Sequence, residues 1–362
     1  MRQYSEFMKT LITADIHCGY PGRLDDCLWA LRTMSTYAVE HKIANVFVLG
    51  DLYHDRVNLN IEVLSRTYAF LEETTKIDQR WLAFPGNHDM FLKNSWKHNS
   101  IRPLNGVLRA VDKQGTFDHE GLQFHILPFI ENEDEYLKAL EKAKGDVLLT
   151  HIGVRHAKMN FCFLLQNWSK ITFDDARFKH VFAGHFHCHQ TLGKLVYPGS
   201  PISFRHDDGM VPHGFLVFDS EAKKPVQFVS IYDVSKDKEK PPQHLTFVED
   251  DFESALSFAE GNNVRIMLKR DHTVNELNEI RSKLHDAGAK AVQWVKPKEQ
   301  ENVEQTVGGV KINLRDYGAT LNSWLEFDRP SGYSTKLLEK LNERICTEAD
   351  ERLVSAGIES EE

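Results

Sequence analysis

Short apolar runs alternate with longer amphipathic stretches through the first two thirds of the chain. The runs are Leu11–Ala14, Asn45–Leu49, Trp81–Phe84, Phe124–Leu127, Val147–Thr150, His180–Ala183, Lys194–Tyr197 and Phe215–Phe218. Each is brief, rich in β-branched or aromatic residues and bounded by Gly, Pro or Asp, which predicts buried strands. Between the early runs, Leu24, Leu28 and Leu31 recur at helical spacing, as do Ile61, Leu64 and Tyr68. Strands alternating with helices predict an α/β layer fold. The strands after about residue 180 have no helical pattern between them and predict a more antiparallel half.

A charged, proline-ended stretch, Ser-Lys-Asp-Lys-Glu-Lys-Pro-Pro at 235–242, predicts a domain boundary. The pattern then restarts. Strands are expected at Leu245–Val248, Val264–Leu268 and Ala291–Val295, with helices at Phe252–Ala259 and from Thr273 to about His285. The second helix opens on a capping box, Thr273-Val-Asn-Glu276. The expected organisation is a main domain over 1–235, a small α+β domain over 243–297, and a remainder over 298–362. In that remainder Leu337, Leu338, Leu341 and Ile345 form one stripe of a helix from Ser334 to about Val354. This stripe could dock on a partner or pack on the small domain. No internal repeat is present.

The 362 residues carry 44 Lys+Arg against 53 Asp+Glu, a formal net charge of −9. Bulk charge therefore does not attract nucleic acid, and any such contact needs a local patch or bound metal. The acidity concentrates at the end: residues 301–362 hold 7 basic and 13 acidic side chains. The five cysteines are odd in number and form no CxxC pair, so neither a disulfide framework nor a zinc knuckle is expected. No signal peptide or membrane-length apolar run is visible, which predicts a soluble, cytoplasmic protein.

The chemistry-bearing residues fall at the carboxyl ends of the expected strands, where α/β sheets bind ligands. They are Asp15 and His17, then Asp51, then Asn87 and His88, then His151, then His185 and His187. Asp-x-His and His-x-His put two side chains on one face of an extended segment. Asp, His and Asn without thiolate suit a catalytic Mn, Fe, Zn or Co site better than a closed structural zinc. Asp89 either orients His88 or caps a following helix.

The ordered series Asp-x-His, Gly-Asp, Gly-Asn-His-Asp, His and Gly-His-x-His resembles the calcineurin-like metallophosphoesterase superfamily over roughly residues 10–235. The resemblance implies a four-layer fold, two mixed β-sheets in a sandwich flanked by helices. It implies that Asp15, His17 and His187 bind one metal, that Asn87, His151 and His185 bind a second, and that Asp51 bridges them. His88 matches the histidine that assists the leaving group. Two divalent ions about 3.5–4 Å apart would clamp a phosphoryl group and lower the pKa of a shared water.

Within the superfamily, Gly50-Asp-Leu-Tyr-His-Asp-Arg56 and Tyr197-Pro-Gly-Ser-Pro201 resemble segments of the SbcD or meiotic-recombination-eleven type of DNA double-strand-break repair nuclease. His54 matches a histidine that supports exonuclease action there, the alternative being that His54 and Asp55 simply begin a loop. That resemblance implies a Mn(2+)-dependent exo- and endonuclease, with Fe, Mg, Co or Zn as other ions. It implies double- and single-stranded DNA as substrates, action in DNA repair or recombination, and a small domain that caps the DNA cleft. It also implies a homodimer through roughly residues 58–75 and 92–105, and an SbcC-type coiled-coil ATPase bound by the C-terminal helix. Arg56, Lys93, Arg155 and Arg205, with Lys97, Arg102 and Lys158, lie near the motif loops, where they could meet DNA or be plain surface charge. Trp96 and Trp168 could stack on bases or be buried. The chain is short for the cellular enzymes and of a size a phage could encode. The competing readings are a nucleotide or cyclic-nucleotide phosphoesterase and a non-catalytic scaffold.

Overall fold

The computed structural model describes residues 9–92, 95–160, 163–164, 169–173, 177–296, 304–307 and 310–313. The chain divides into two compact units, Met1–Lys296 and Pro297–Glu362. In the second unit a hairpin pairs Glu304–Val307 with Val310–Asn313. The helix expected from Ser334, together with Lys93 and Trp168, lies outside the described residues.

All eight apolar runs of the first two thirds are strands. Four strands run in parallel: β1 (Lys9–Thr13), β2 (Asn45–Val48), β3 (Arg80–Ala83) and β4 (Arg109–Ala110). Beside β1, β11 (Gly214–Asp219) runs antiparallel, and β12 (Val226–Ser230) closes that edge. The second sheet has its own parallel centre of β6 (Leu122–Leu127), β7 (Val147–His151), β8 (His180–Gly184) and β10 (Leu195–Tyr197). Its edges, β5 (Gly115–His119) and β9 (Gln190–Leu192), are antiparallel. The later half is thus antiparallel at its hairpins, but β10 pairs in parallel with β8.

Successive side chains in these strands feed different cores, because a strand's side chains alternate between faces. In β1 and β2, Ile12 and Phe47 enter the core between the two sheets, with Phe124, Leu149, Phe182 and Leu216. Leu11, Val46 and Val48 face the other way, onto α1 (Leu24–Glu40) and α2 (Ile61–Thr75). On the far side Leu148, Val181 and Leu195 pack on Tyr136 and Leu140 of α3 (Glu133–Glu141). The result is four layers, helix–sheet–sheet–helix. Burial on both faces explains the continuous apolar runs in place of alternation.

One helical stripe is corrected. Ile61 is 80% exposed and Tyr68 40%, while α2 buries Val63, Thr67, Phe70, Leu71 and Thr74. Both rows fit helical spacing. The face is chosen by packing, Phe70 meeting Trp81 of β3 edge-on at 5.5 Å. Trp96 is partly buried and donates from its indole nitrogen to the Phe129 carbonyl (2.8 Å), so it packs in place rather than standing free.

Beyond the 235–242 stretch, β13 (His244–Val248), β14 (Asn263–Met267) and β15 (Ala291–Val295) form a parallel three-stranded sheet. It has its own core, in which Phe247, Val264 and Ile266 meet Ala255 of α4 (Phe252–Ser257) and Leu284 of α5 (Val274–Asp286). The capping box is complete: the Glu276 amide donates to Thr273 Oγ1 (3.3 Å) and the Thr273 amide to Glu276 Oε2 (2.7 Å). Where this sheet meets the main layers, Arg23 donates to the Ser203 and Pro242 carbonyls, and His206 and His244 sit ring edge to ring face at 5.1 Å.

Burial, with Arg265 beside His206 and Arg23 beside His244, pushes both imidazoles down to about 4 from 6.5. Both rings are neutral when folded and protonate readily when unfolded, so their contribution is intact above pH 6.5 and lost as pH falls toward 4. Urea unfolding should therefore show a midpoint falling over that window. The fall should be smaller in His244→Gln; an equal fall in wild type and variant would exclude this seam as its source.

Candidate metal centre

Each expected ligand lies just past, or at the last residue of, a parallel strand, and the two sheets bring these ends together. The loops after β1 and β2 are zipped by backbone hydrogen bonds, Asp15 N to Gly50 O (3.2 Å) and His17 N to Asp51 O (3.0 Å). Across the sandwich, the His185 amide donates to both carboxylate oxygens of Asp15 (3.1 and 3.0 Å), and the His88 amide to Asp51 Oδ1 (2.8 Å). Asp15, His17, Asp51 and His185 all take left-handed backbone (φ 54°, 52°, 53° and 111°). That conformation is costly for side-chain-bearing residues and persists where surrounding contacts over-determine it.

Glycines allow the close approach. A Cβ on Gly184 would sit 2.3 Å from the Leu49 carbonyl and 2.7 Å from His151 Nδ1, and one on Gly86 would sit 2.2 Å from Asp51 Oδ1.

The side chains form two linked groups. In one, Asp15, His17 and His187 offer ligand atoms within 4.8 Å of one another, with His17 Nε2 3.1 Å from His187 Nε2. In the other, Asn87 Oδ1 is 3.0 Å from His151 Nε2 and 2.9 Å from His185 Nδ1. Asp51 Oδ2 lies between them, 4.0 Å from His17 Nε2 and 3.4 Å from His151 Nε2. All seven expected ligands thus converge.

The electrostatics describe a site that collects lone pairs. His151 donates from Nδ1 to the Leu49 carbonyl (2.7 Å), so Nε2 of the neutral ring has no hydrogen and faces two oxygens. Burial opposes a charge on His151. The Asp51 carboxylate overcomes this, with help from Asp15, and raises the imidazole to about 9. Burial raises the Asp51 carboxyl too, but His151 and then His17 outweigh it and hold Asp51 well below the usual range. Burial, then the charge on His151, pushes His185 down to about 3, and burial likewise lowers His17. Burial opposes a charge on His187 as well, but its bond to Asp208 and the nearby Asp15 outweigh this and raise it, so positive charge is favoured on two of the rings. The donor set, imidazole and oxygen without thiolate, fits divalent ions of the Mn, Fe, Zn, Co or Mg kind.

His54 and His88 stack beside this group with centroids 5.3 Å apart. His88 donates from Nδ1 to the His54 carbonyl (2.6 Å), and His54 Nδ1 lies 3.4 Å from His17 Nδ1. Asp89 neither orients His88 nor caps a helix, since the next element is the strand Met90–Leu92. Its carboxylate accepts from the amides of Tyr53 and Gly86 and from Ser100 Oγ, tying two ligand loops together. Burial, reinforced by Asp51, raises its carboxyl to about 7.

A cavity of about 360 Å³ opens on the site, lined by residues including His17, Asp51, Asn87, His88 and Arg205. Of the expected cations, Arg205 reaches this cavity. Arg56 lines a neighbouring one, Arg155 donates to the Ser169 carbonyl (3.0 Å), and Arg102 is paired with Asp112. Sequence reasoning missed Asp208, which lies 3.1 Å from His187 Nδ1, and Tyr20, whose ring packs against His54 at 4.7 Å. The run Arg205-His-Asp-Asp208 was a visible signal for the first; nothing marked the second.

The family model for calcineurin-like phosphoesterases matches residues 8–189. The chain belongs to that family. Over 199 residues this phosphoesterase is also 23% identical to "Exonuclease subunit 1" of Enterobacteria phage T4, an alignment covering 52% of this chain and 57% of the phage protein. The chain thus spans little more than half the length of that relative. No helix among the described residues is long and apolar enough to cross a membrane.

Gly184→Ala should strain the seam between β8 and the loop after β2. Its added methyl meets a backbone carbonyl that cannot swing aside. We expect a loss of about 1–3 kcal/mol in urea unfolding together with weaker Mn2+ binding. Wild-type values for both would mean that the strand ends lie further apart than described.

Proposed function

We propose that this phosphoesterase is a metal-dependent deoxyribonuclease that hydrolyses phosphodiester bonds with two divalent ions, Mn(2+) foremost, in DNA end processing. The carrying observation is the convergence of six oxygen and imidazole donors around a seventh, Asp51, which stands between two groups. Asp15, His17 and His187 would hold one ion, Asn87, His151 and His185 the other, and Asp51 both. Ions so held supply charge neutralisation at the phosphoryl group and an acidified water.

The chain's own residues do the rest. His151 and His187 are each held from Nδ1, by the Leu49 carbonyl and the Asp208 carboxylate, which presents Nε2 to the site. His88 is anchored from Nδ1 to the His54 carbonyl and lines the cavity. Its Nε2 is therefore the atom that would pass a proton or hydrogen bond to the departing oxygen. His54 would steady both His88 and His17, consistent with a part in exonuclease action. Arg205, exposed at the cavity, would meet a phosphate outside the cleaved bond.

DNA as substrate is supported by the likeness to the phage exonuclease subunit and by the His54–His88 pair. The full chain with Mn2+ should degrade linear duplex or single-stranded DNA. His88→Ala should cut turnover by about 10²–10⁴-fold while still binding metal. Preferential hydrolysis of mononucleotides or cyclic nucleotides would move the assignment to a small-molecule phosphoesterase. Loss of metal in His88→Ala would remove the role given to that ring.

A homodimer fits the exposed apolar side chains beside the site. Val57, Phe91 and Leu92 are more than half exposed, and Val57 and Phe91 share one cavity of about 360 Å³. Phe91→Asp should then lower the sedimentation mass from two chains to one, and a wild-type protein that is already monomeric would end this reading. A coiled-coil ATPase of the SbcC type, bound through the stripe Leu337, Leu338, Leu341 and Ile345, completes the proposal. That segment lies outside the described residues.

A further inference from the structure

From His187, a chain of polar contacts starts in the cavity wall, where Asp208 stands beside it, and ends in the small domain. Asp208 is buried and accepts from four groups: His187 Nδ1 on Oδ2 (3.1 Å), the Arg205 amide (2.9 Å) and Phe204 amide (3.2 Å) on Oδ1, and Ser203 Oγ on Oδ1 (3.4 Å). Its backbone carbonyl accepts from His213 Nε2 (2.8 Å). Ser203 Oγ in turn receives the His244 amide (3.2 Å) and lies 3.1 Å from His244 Nδ1. His244 belongs to the small sheet, 57 positions from His187 by their residue numbers.

The hydrogens of this chain have one consistent arrangement. Asn263 Nδ2 (3.1 Å) and an Arg23 guanidinium nitrogen (3.5 Å) face His244 Nε2, and both can only donate. Nε2 therefore accepts, and the hydrogen of the neutral ring sits on Nδ1, pointing at Ser203 Oγ. Having accepted there, the hydroxyl has its own hydrogen to give, with the Asp208 carboxylate (3.4 Å) and the Arg205 carbonyl (3.5 Å) in reach and the charged oxygen the stronger acceptor. The carboxylate is then an acceptor at every contact, and the hydrogen of His187 is fixed on Nδ1. That leaves the Nε2 lone pair facing Asp15 and His17. A ring without this anchor could take the other tautomer and present a hydrogen instead.

We infer that Asp208 is a positioning residue that fixes the tautomer and direction of His187, and that the small domain, through His244 and Ser203, is its second support. The inference rests on the proposed reading of His187 as a ligand. It gives the small domain a role in metal loading besides any role in covering substrate.

The test is titration of the metal-free full chain with MnCl2, following the affinity of each ion, with unfolding midpoints measured in parallel. His187→Ala is the reference and should lose one ion. Asp208→Asn keeps an oxygen for the two amides of the turn but sets an amide N–H, a donor, against His187 Nδ1, which favours the other tautomer. It should weaken one ion by about 10–100-fold, leave the other unchanged, and regain turnover as Mn2+ is raised. Ser203→Ala and His244→Gln should fall between wild type and Asp208→Asn at the same ion, and they carry the test if Asp208→Asn does not fold. Wild-type affinity for both ions in a folded Asp208→Asn, with one ion lost in His187→Ala, would overturn the positioning role alone. Two ions retained by His187→Ala would instead overturn the ligand assignment beneath it.

Discussion

Two carboxylates, Asp15 and Asp51, are taken out of water where the sheets of the sandwich meet, 0% and 2% exposed. Such groups are costly to bury unless positive charge and hydrogen bonds compensate. Backbone amides supply part of that: two contacts from His185 reach Asp15 and one from His88 reaches Asp51. Imidazoles surround the rest, and a neutral ring brings no positive charge. The cluster is therefore short of positive charge by construction. His151 answers with a proton held to about 9, in a ring otherwise hostile to charge. Divalent ions would answer the same deficit for all seven side chains at once, and would release the proton.

The rest of the architecture exists in a form that makes this crowding possible. Parallel pairing in β1–β2–β3 and in β7–β8 ends several strands at one rim, and apolar burial on both faces holds them there. The turns that follow are left-handed at Asp15, His17, Asp51 and His185, four of the expected ligands, and at Gly50. An ordinary extended exit would carry the carboxylates past the site. The stability of the layers, each buried Phe or Leu contributing about 1.5–3 kcal/mol, offsets the cost of a strained and charge-deficient edge. Asp89 shows the same economy, since one buried carboxylate joins the Gly-Asp loop to the Gly-Asn-His-Asp loop through Tyr53 and Gly86.

Much of this was legible in the residues. The strands and the seven donors were readable because their signals are local: short apolar runs, and Asp, His and Asn directly behind them. The capping box at Thr273 was readable for the same reason. What failed were choices that depend on partners distant in sequence. Ile61 and Val63 both lie on helical stripes, and Trp81 decides which is buried. Asp89 looked like a partner for its neighbour His88, yet its oxygens turn to amides 36 and 3 residues away. Arg102 and Arg155 looked like free cations and are held by Asp112 and the Ser169 carbonyl.

Asp208 belongs to this second class and shows why it is hard to see. An aspartate in a turn reads as a turn former, because its oxygens commonly accept from the next amides. Asp208 does that at Phe204 and Arg205, so the local explanation is complete and nothing asks for another. Its other oxygen, Oδ2, is what reaches His187, and its turn is what His244 grips from the small sheet. A side chain that satisfies a local rule can thus hold a distant one in register. Orientation of a ligand by a partner behind it matters because an imidazole offers a metal only the nitrogen without the hydrogen. Where that hydrogen sits is settled by the far side of the ring, and here the far side leads out of the two large sheets and into the small three-stranded sheet.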